Sequence, residues 1–190
     1  MRRFYLALTI FFLIPQISFS ADPQVATKSD PISASHVYFS PKGGCTEAIV
    51  KNLDQAERYV LVQAYSFTSK PIAEALVNAQ KRGVKVKVLL DKSQLHGKGS
   101  KLDLLAQAGI PVMIDTKHAI AHNKVMIIDG VTVLTGSFNF TNAAEDKNAE
   151  NLLVVRDKTI AKKYRNNWNN HSKHSEAYSF PPTEDNRSKQ

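Results

Sequence analysis

The chain has 190 residues, a single Cys, 25 basic against 17 acidic side chains and 43% hydrophobic content. That length suits one domain, and one Cys excludes both a disulfide framework and a multi-Cys zinc module. The surplus of eight positive charges points to an anionic partner such as nucleic acid, a lipid headgroup or another phosphate, without choosing among them.

Arg2 and Arg3 precede an apolar run from Phe4 to Ile14, and Ser18-Phe19-Ser20 follows with small residues. This layout predicts a secretory signal over residues 1–20, too short in its apolar part to span a bilayer. It implies a periplasmic or secreted protein. Residues 21–35 are polar with two Pro and read as a leader segment. The domain proper is expected over 36–171. The stretch 172–190 is polar, carries Pro181-Pro182, and reads as a poorly ordered tail.

Inside the domain, apolar runs alternate with amphipathic stretches. His36–Ser40 reads as a strand, Thr46–Ala56 as a helix, and Tyr59–Tyr65 as a second strand. Pro71 opens a helix through Arg82, and Gly83 stops it. Val84–Leu90 is a strand, Lys101–Ala108 a short helix ended by Gly109, and Val112–Ile114 another strand. Lys124–Ile128 and Val131–Thr135 flank Asp129-Gly130, a strong hairpin signal. Leu152–Val155 completes the strands, and Lys158–Asn170 forms a last, basic helix. This alternation predicts an α/β fold: a mixed, largely parallel sheet flanked by helices, with a β-hairpin at the active site. Cys45 reads as a buried small apolar residue, with an intermolecular disulfide as the alternative.

The chemistry concentrates in residues 122–139. His122 and Lys124 are two apart on a strand and project from one face. Ser137 and Asn139 follow the return strand of the hairpin. An imidazole, a cation, a hydroxyl and an amide together suit a phosphoryl centre. The cation and the amide can hold non-bridging oxygens while the imidazole attacks phosphorus. No metal or other cofactor is needed in that scheme. Taken singly, each residue has a plain structural explanation; Asn142 and Glu145, for instance, have capping-box spacing and predict a helix start.

The run His122-x-Lys124-(x4)-Asp129-(x6)-Gly136-Ser137-x-Asn139 resembles the signature of the phospholipase D superfamily. A short secreted chain with one such motif resembles its small metal-independent bacterial endonucleases. The resemblance implies His122 as nucleophile, Lys124 and Asn139 as phosphate ligands, and Ser137 in support. It places an acid that orients the histidine at Glu150. Asp129 and Gly136 are expected to be structural. One motif also implies half a site, so a two-fold homodimer that pairs two copies of His122 is expected. His96-x-Lys98-(x4)-Asp103 fits the first half of the pattern but lacks Gly-Ser-x-Asn, and reads as coincidence.

Lys92, His96, Lys98 and Lys101 decorate the loop after the Val84–Leu90 strand. Lys92 and Lys98 are candidate contacts for a phosphodiester backbone, and a solvated loop explains them equally well. His118-x3-His122 has metal-ligand spacing, but no Glu follows the first His as it would in a zincin. The leading expectation is a phosphodiesterase that forms a phosphohistidine and cuts DNA, or RNA, with little sequence preference. The alternative is a phospholipase acting on phosphatidyl headgroups, and a non-catalytic binding module is a third.

Overall fold

The computed structural model describes residues 34–180, and the expected signal segment lies outside them. Its elements follow the sequence signals closely. Strand β1 (Ala34–Ser40) is followed by helix α1 (Cys45–Asp54), strand β2 (Tyr59–Ala64), helix α2 (Lys70–Lys81) and strand β3 (Lys85–Asp91). A 3-10 turn (Lys92–Leu95) leads to helix α3 (Leu102–Gln107) and strand β4 (Val112–Asp115). Then come strands β5 (Lys124–Ile128) and β6 (Thr132–Gly136), helix α4 (Asn142–Asp146), strand β7 (Glu150–Arg156), helix α5 (Lys158–Ser172) and strand β8 (Glu176–Tyr178). None of the described helices is long and apolar enough to cross a membrane.

The strands form one sheet in the order β1-β7-β6-β5-β2-β3-β4-β8. The mixed α/β class holds, but the expected parallel majority does not. Only β2 with β3 and β3 with β4 run parallel, and the other five pairings are antiparallel. The cause is connectivity. Helices α2 and α3 each make one crossover between parallel neighbours, as such connections require. Every later strand arrives through a hairpin or a return from the far end.

The hairpin signal is borne out. Asp129 and Gly130 both carry positive φ, 55° and 72°, as the tight primed turn demands. The Asp129 carboxylate accepts from the backbone N–H of Glu57 (3.0 Å), Arg58 (2.8 Å) and Tyr59 (3.0 Å), so it fastens the hairpin tip to the start of β2. Burial raises its pKa, but these donors outweigh burial and hold the carboxyl below its ordinary range.

Helices cover both faces of the sheet. Ile49 and Leu53 of α1 and Ile72 and Leu76 of α2 pack with Val60, Val62 and Met126 on one face. On the other, Trp168 of α5 packs with Leu61, Leu89 and Ile127, and its indole N–H donates to the Val62 carbonyl at 2.8 Å.

Two expectations about local structure change. Residues 172–180 of the expected tail carry structure, while 181–190 lie outside the described residues: β8 pairs antiparallel with β4, and the Tyr178 hydroxyl donates to Asp103 at 2.7 Å. That bond also gives the Asp103 of the partial motif a structural use. The cap of α4 is Thr141, whose hydroxyl accepts from Ala144 N–H at 3.1 Å, not Asn142. Glu145 instead reaches α1, where its carboxylate accepts from the N–H groups of Gly44 (3.0 Å) and Thr46 (2.7 Å). An acid at that helix start satisfies free donors and suits the dipole. Cys45 lies fully buried behind it, and burial, with Glu145 next, pushes its thiol up to about 11. The buried reading of Cys45 stands, and a disulfide to another chain does not fit that burial.

Candidate active site

The sheet topology collects the motif at one end. Ala64 pairs with Lys124, Asp91 with Asp115, Gly136 with Leu152, and Ser40 with Glu150. The motif residues on β5, β6 and β7 therefore reach the same edge as the loop that follows β3.

Lys124 is buried, at 6% exposure, while His122 is exposed. The ammonium donates to the His122 carbonyl at 2.8 Å and meets His122 Nδ1 at 2.9 Å. Burial pushes the Lys124 ammonium below the ordinary lysine range, and the Glu150 charge pulls part of that shift back. Tyr65 completes the cluster. Its ring centroid lies 4.6 Å from the His122 ring and 5.1 Å from the Lys124 Nζ, so it walls both groups and faces the cation. Tyr65 was not among the expected site residues, although it directly follows β2.

The expected contact between Glu150 and His122 is not formed. Nδ1 is occupied by Lys124, and the Glu150 carboxylate accepts from Asn148 Nδ2 at 3.1 Å. Glu150 reaches the site through its charge on Lys124 instead.

Ser137 and Asn139 stand on the segment leaving β6. The Ser137 hydroxyl accepts from Asn151 N–H (3.1 Å) and Nδ2 (3.3 Å), which ties it to β7. Gly136 has φ 152°, and a Cβ there would lie 2.2 Å from the Asn151 carbonyl oxygen, so only glycine fits. The Asn139 amide oxygen is buried without a hydrogen-bond partner, a costly state for a polar atom.

Asp91 is a second residue the sequence reading missed. It is buried at the end of β3, and its carboxylate accepts from Ser93 N–H (2.9 Å) and Ala121 N–H (2.7 Å). The second bond fixes the backbone just before His122. Burial raises its pKa, but the bonds from Ser93 and Ala121 outweigh burial and keep the carboxyl below its usual range.

The basic loop lies beside this end. Lys92, His96 and Lys98 are exposed, and the Lys92 ammonium donates to the His118 carbonyl at 3.2 Å. Ile120, two residues before His122, is 58% exposed, so an apolar side chain also stands at the rim. His118 does not join His122 as a ligand pair. It turns to Asp115, His171 and His174.

Residues 49–172 match the family model for the cardiolipin synthase, PLD-like domain. The chain is 49% identical over 170 residues to a phospholipase D of Rickettsia typhi, covering 86% of this chain and 83% of that one. It is 32% identical over 137 residues to a mitochondrial cardiolipin hydrolase of Xenopus tropicalis, covering 70% of this chain and 64% of the other. The solved structure of Nuc from Salmonella typhimurium, a phospholipase D family member, superposes with a TM-score of 0.74 at 38% identity. It covers 77% of this chain and 99% of Nuc.

Proposed function

The chain belongs to the phospholipase D superfamily and is a phosphodiester hydrolase, and we propose that its substrate is nucleic acid, cut without marked sequence preference. The observation that carries this reading is the cationic loop. Lys92 and Lys98 stand exposed at the sheet end that holds His122, and Lys92 is bonded four residues ahead of it. Such a row suits a polyanion that extends beyond one phosphate.

The chemistry follows from the groups at hand. Lys124 Nζ and Asn139 Nδ2 donate to the non-bridging oxygens, with Ser137 holding the Asn139 segment to β7. Lys124 leaves Nδ1 as it moves to the phosphate, and the ring proton passes from Nε2 to Nδ1 through water. Nε2 then attacks phosphorus, an N–P bond forms and the P–O bond breaks. The departing oxygen takes a proton from His122 of a second copy of the chain across a two-fold axis. Water, deprotonated by that same imidazole, displaces the phosphoryl group and frees Nε2. Export to the periplasm or medium would bring the enzyme to extracellular nucleic acid.

Ile120 supports a second reading. An exposed apolar side chain beside the nucleophile, together with relatives named phospholipase D and cardiolipin hydrolase, suits an enzyme that meets a lipid surface. The two readings separate by incubating wild type and His122→Ala with plasmid DNA and with vesicles of phosphatidylcholine and cardiolipin. DNA nicking by wild type, reduced about 1000-fold or more in the variant, is expected. Headgroup release or cardiolipin cleavage without nicking overturns the nucleic-acid reading. Sedimentation of the active species tests the dimer, which fails if that species is a monomer.

A further inference from the structure

Four side chains from separate stretches converge beside the segment that leads to His122. Asp115 ends β4 and is fully buried. His118 follows it in the loop, His171 lies on the last turn of α5, and His174 lies in the turn before β8. Asp115 Oδ2 stands 2.9 Å from His118 Nδ1, 3.1 Å from His171 Nδ1 and 3.4 Å from His174 Nε2. One donor atom from each residue falls within 4.8 Å of all the others. The three rings are tilted to one another, with centroids 4.9, 5.1 and 5.5 Å apart, so they surround a point and do not stack.

Hydrogen bonding alone accounts poorly for this arrangement. Three ring nitrogens converge on Oδ2, which has two lone pairs, and only His118 Nδ1 also reaches Oδ1, at 3.1 Å. Oδ1 already accepts from the N–H groups of Lys117 and His118, both at 3.2 Å. A neutral imidazole has one N–H, so all three rings would have to turn that proton inward. A cation at the centre takes lone pairs instead and leaves the outer nitrogens their protons. Four ligands about 2.05 Å from a tetrahedral metal lie about 3.4 Å from one another. The three distances to Oδ2 come within about half an ångström of that edge.

We propose that Asp115, His118, His171 and His174 bind a divalent transition metal, zinc foremost, which ties the C-terminal segment to the loop before His122. Three imidazoles and one carboxylate are a zinc-type donor set, whereas calcium and magnesium prefer oxygen alone. The pattern is two short pairs, Asp115-x2-His118 and His171-x2-His174, brought together by the packing of α5 and the pairing of β8 with β4. The site is separate from the phosphoryl centre. Asp115 alternates with Met113 on the α5 face of the sheet, while Lys124 alternates with Met126 on the opposite face. Its effect on the reaction is positional. His118 is held by the metal on one side and by Lys92 on its carbonyl, and Asp91 holds Ala121, so the approach to His122 is fixed at three points. The inference is independent of which phosphodiester the enzyme cuts.

The test uses the full chain, free of affinity tag and purified without chelator. Metal analysis after dialysis against zinc, competition with a chromophoric chelator, and the absorption spectrum of the cobalt(II) form give stoichiometry, affinity and geometry. The expected result is about one zinc per chain, a tetrahedral cobalt spectrum, and a melting temperature that zinc raises. His171→Gln/His174→Gln should weaken binding at least about 100-fold, and His96→Gln should leave it unchanged. If the double variant does not fold, His118→Gln serves instead, because that side chain is 42% exposed and lies outside the helices. No zinc uptake by wild type, an octahedral cobalt spectrum, or unweakened binding in a folded ligand variant overturns the proposal.

Discussion

Replacing Asp129 separates its structural use from a catalytic one. In Asp129→Ala, the N–H groups of Glu57, Arg58 and Tyr59 lose their acceptor. Water reaches the first two, so each bond is worth about 1 kcal/mol, whereas the half-buried Tyr59 N–H costs about 2 kcal/mol when orphaned. Alanine also bears the left-handed φ of 55° less well than Asp, at about 1 kcal/mol more. The loss is about 4–5 kcal/mol, or roughly 10 °C in melting temperature for a chain this size. Asp129→Asn keeps an acceptor oxygen and tolerates the turn, so it should lose about 1–2 kcal/mol. The pH dependence carries a sign. The folded carboxyl titrates below its unfolded value, so its contribution is complete above about pH 5 and fades as pH falls through the folded pKa. The Asn variant should therefore approach wild type in stability toward acid. Calorimetry across pH, with activity assayed well below the melting transition, checks both points. An Asn variant that melts within about 2 °C of wild type yet loses 100-fold or more in activity would place Asp129 in the chemistry and refute this account.

Gly136→Ala should cost about 3 kcal/mol or more, read by thermal unfolding, because the new Cβ meets a backbone oxygen that moves only if β6 and β7 part. Ser137 is tied across that same seam, so activity should fall with it. Glu150→Gln should move the alkaline limb of the activity profile to lower pH. Lys124 must stay protonated to hold phosphate, burial already favours loss of that proton, and Glu150 is the group that opposes burial. Cys45 should resist thiol reagents in the folded protein and react only on unfolding, since it is buried with its thiol pushed up to about 11; rapid labelling of the native chain would contradict its burial.

What the sequence discloses is what lies close along the chain. The Asp129-Gly130 turn is legible because two adjacent positive φ values leave few residue choices. The His122-to-Asn139 spacing is legible because one hairpin carries the whole run. Neighbours in the sheet are another matter: β5 inserts beside β2, and nothing local announces that the pairing is antiparallel. Asp91 reads as a lone acid at a strand end, although an acid closing the apolar run Val88-Leu89-Leu90 is itself a signal of a buried acceptor. Tyr65 reads as the last β-former of a run until the topology sets it against His122. Glu145 shows the same limit, since its capping-box spacing is real but its carboxylate serves a helix about a hundred residues away.

The contact between Lys124 and His122 bears on how one motif could supply two roles. On the two-fold reading, identical histidines must take opposite protonation states, one offering a lone pair and one a proton. A protonated Lys124 that donates to Nδ1 leaves the neutral ring its hydrogen on Nε2, which serves neither role: the nucleophile needs a bare Nε2, and the general acid needs an imidazolium. Both roles therefore require Lys124 to leave Nδ1, and a phosphate oxygen is the partner that would draw it away. The phosphodiester itself then breaks the symmetry: the Lys124 it engages first frees Nδ1 of the histidine beside it, and the other ring, once an imidazolium, protonates the leaving oxygen.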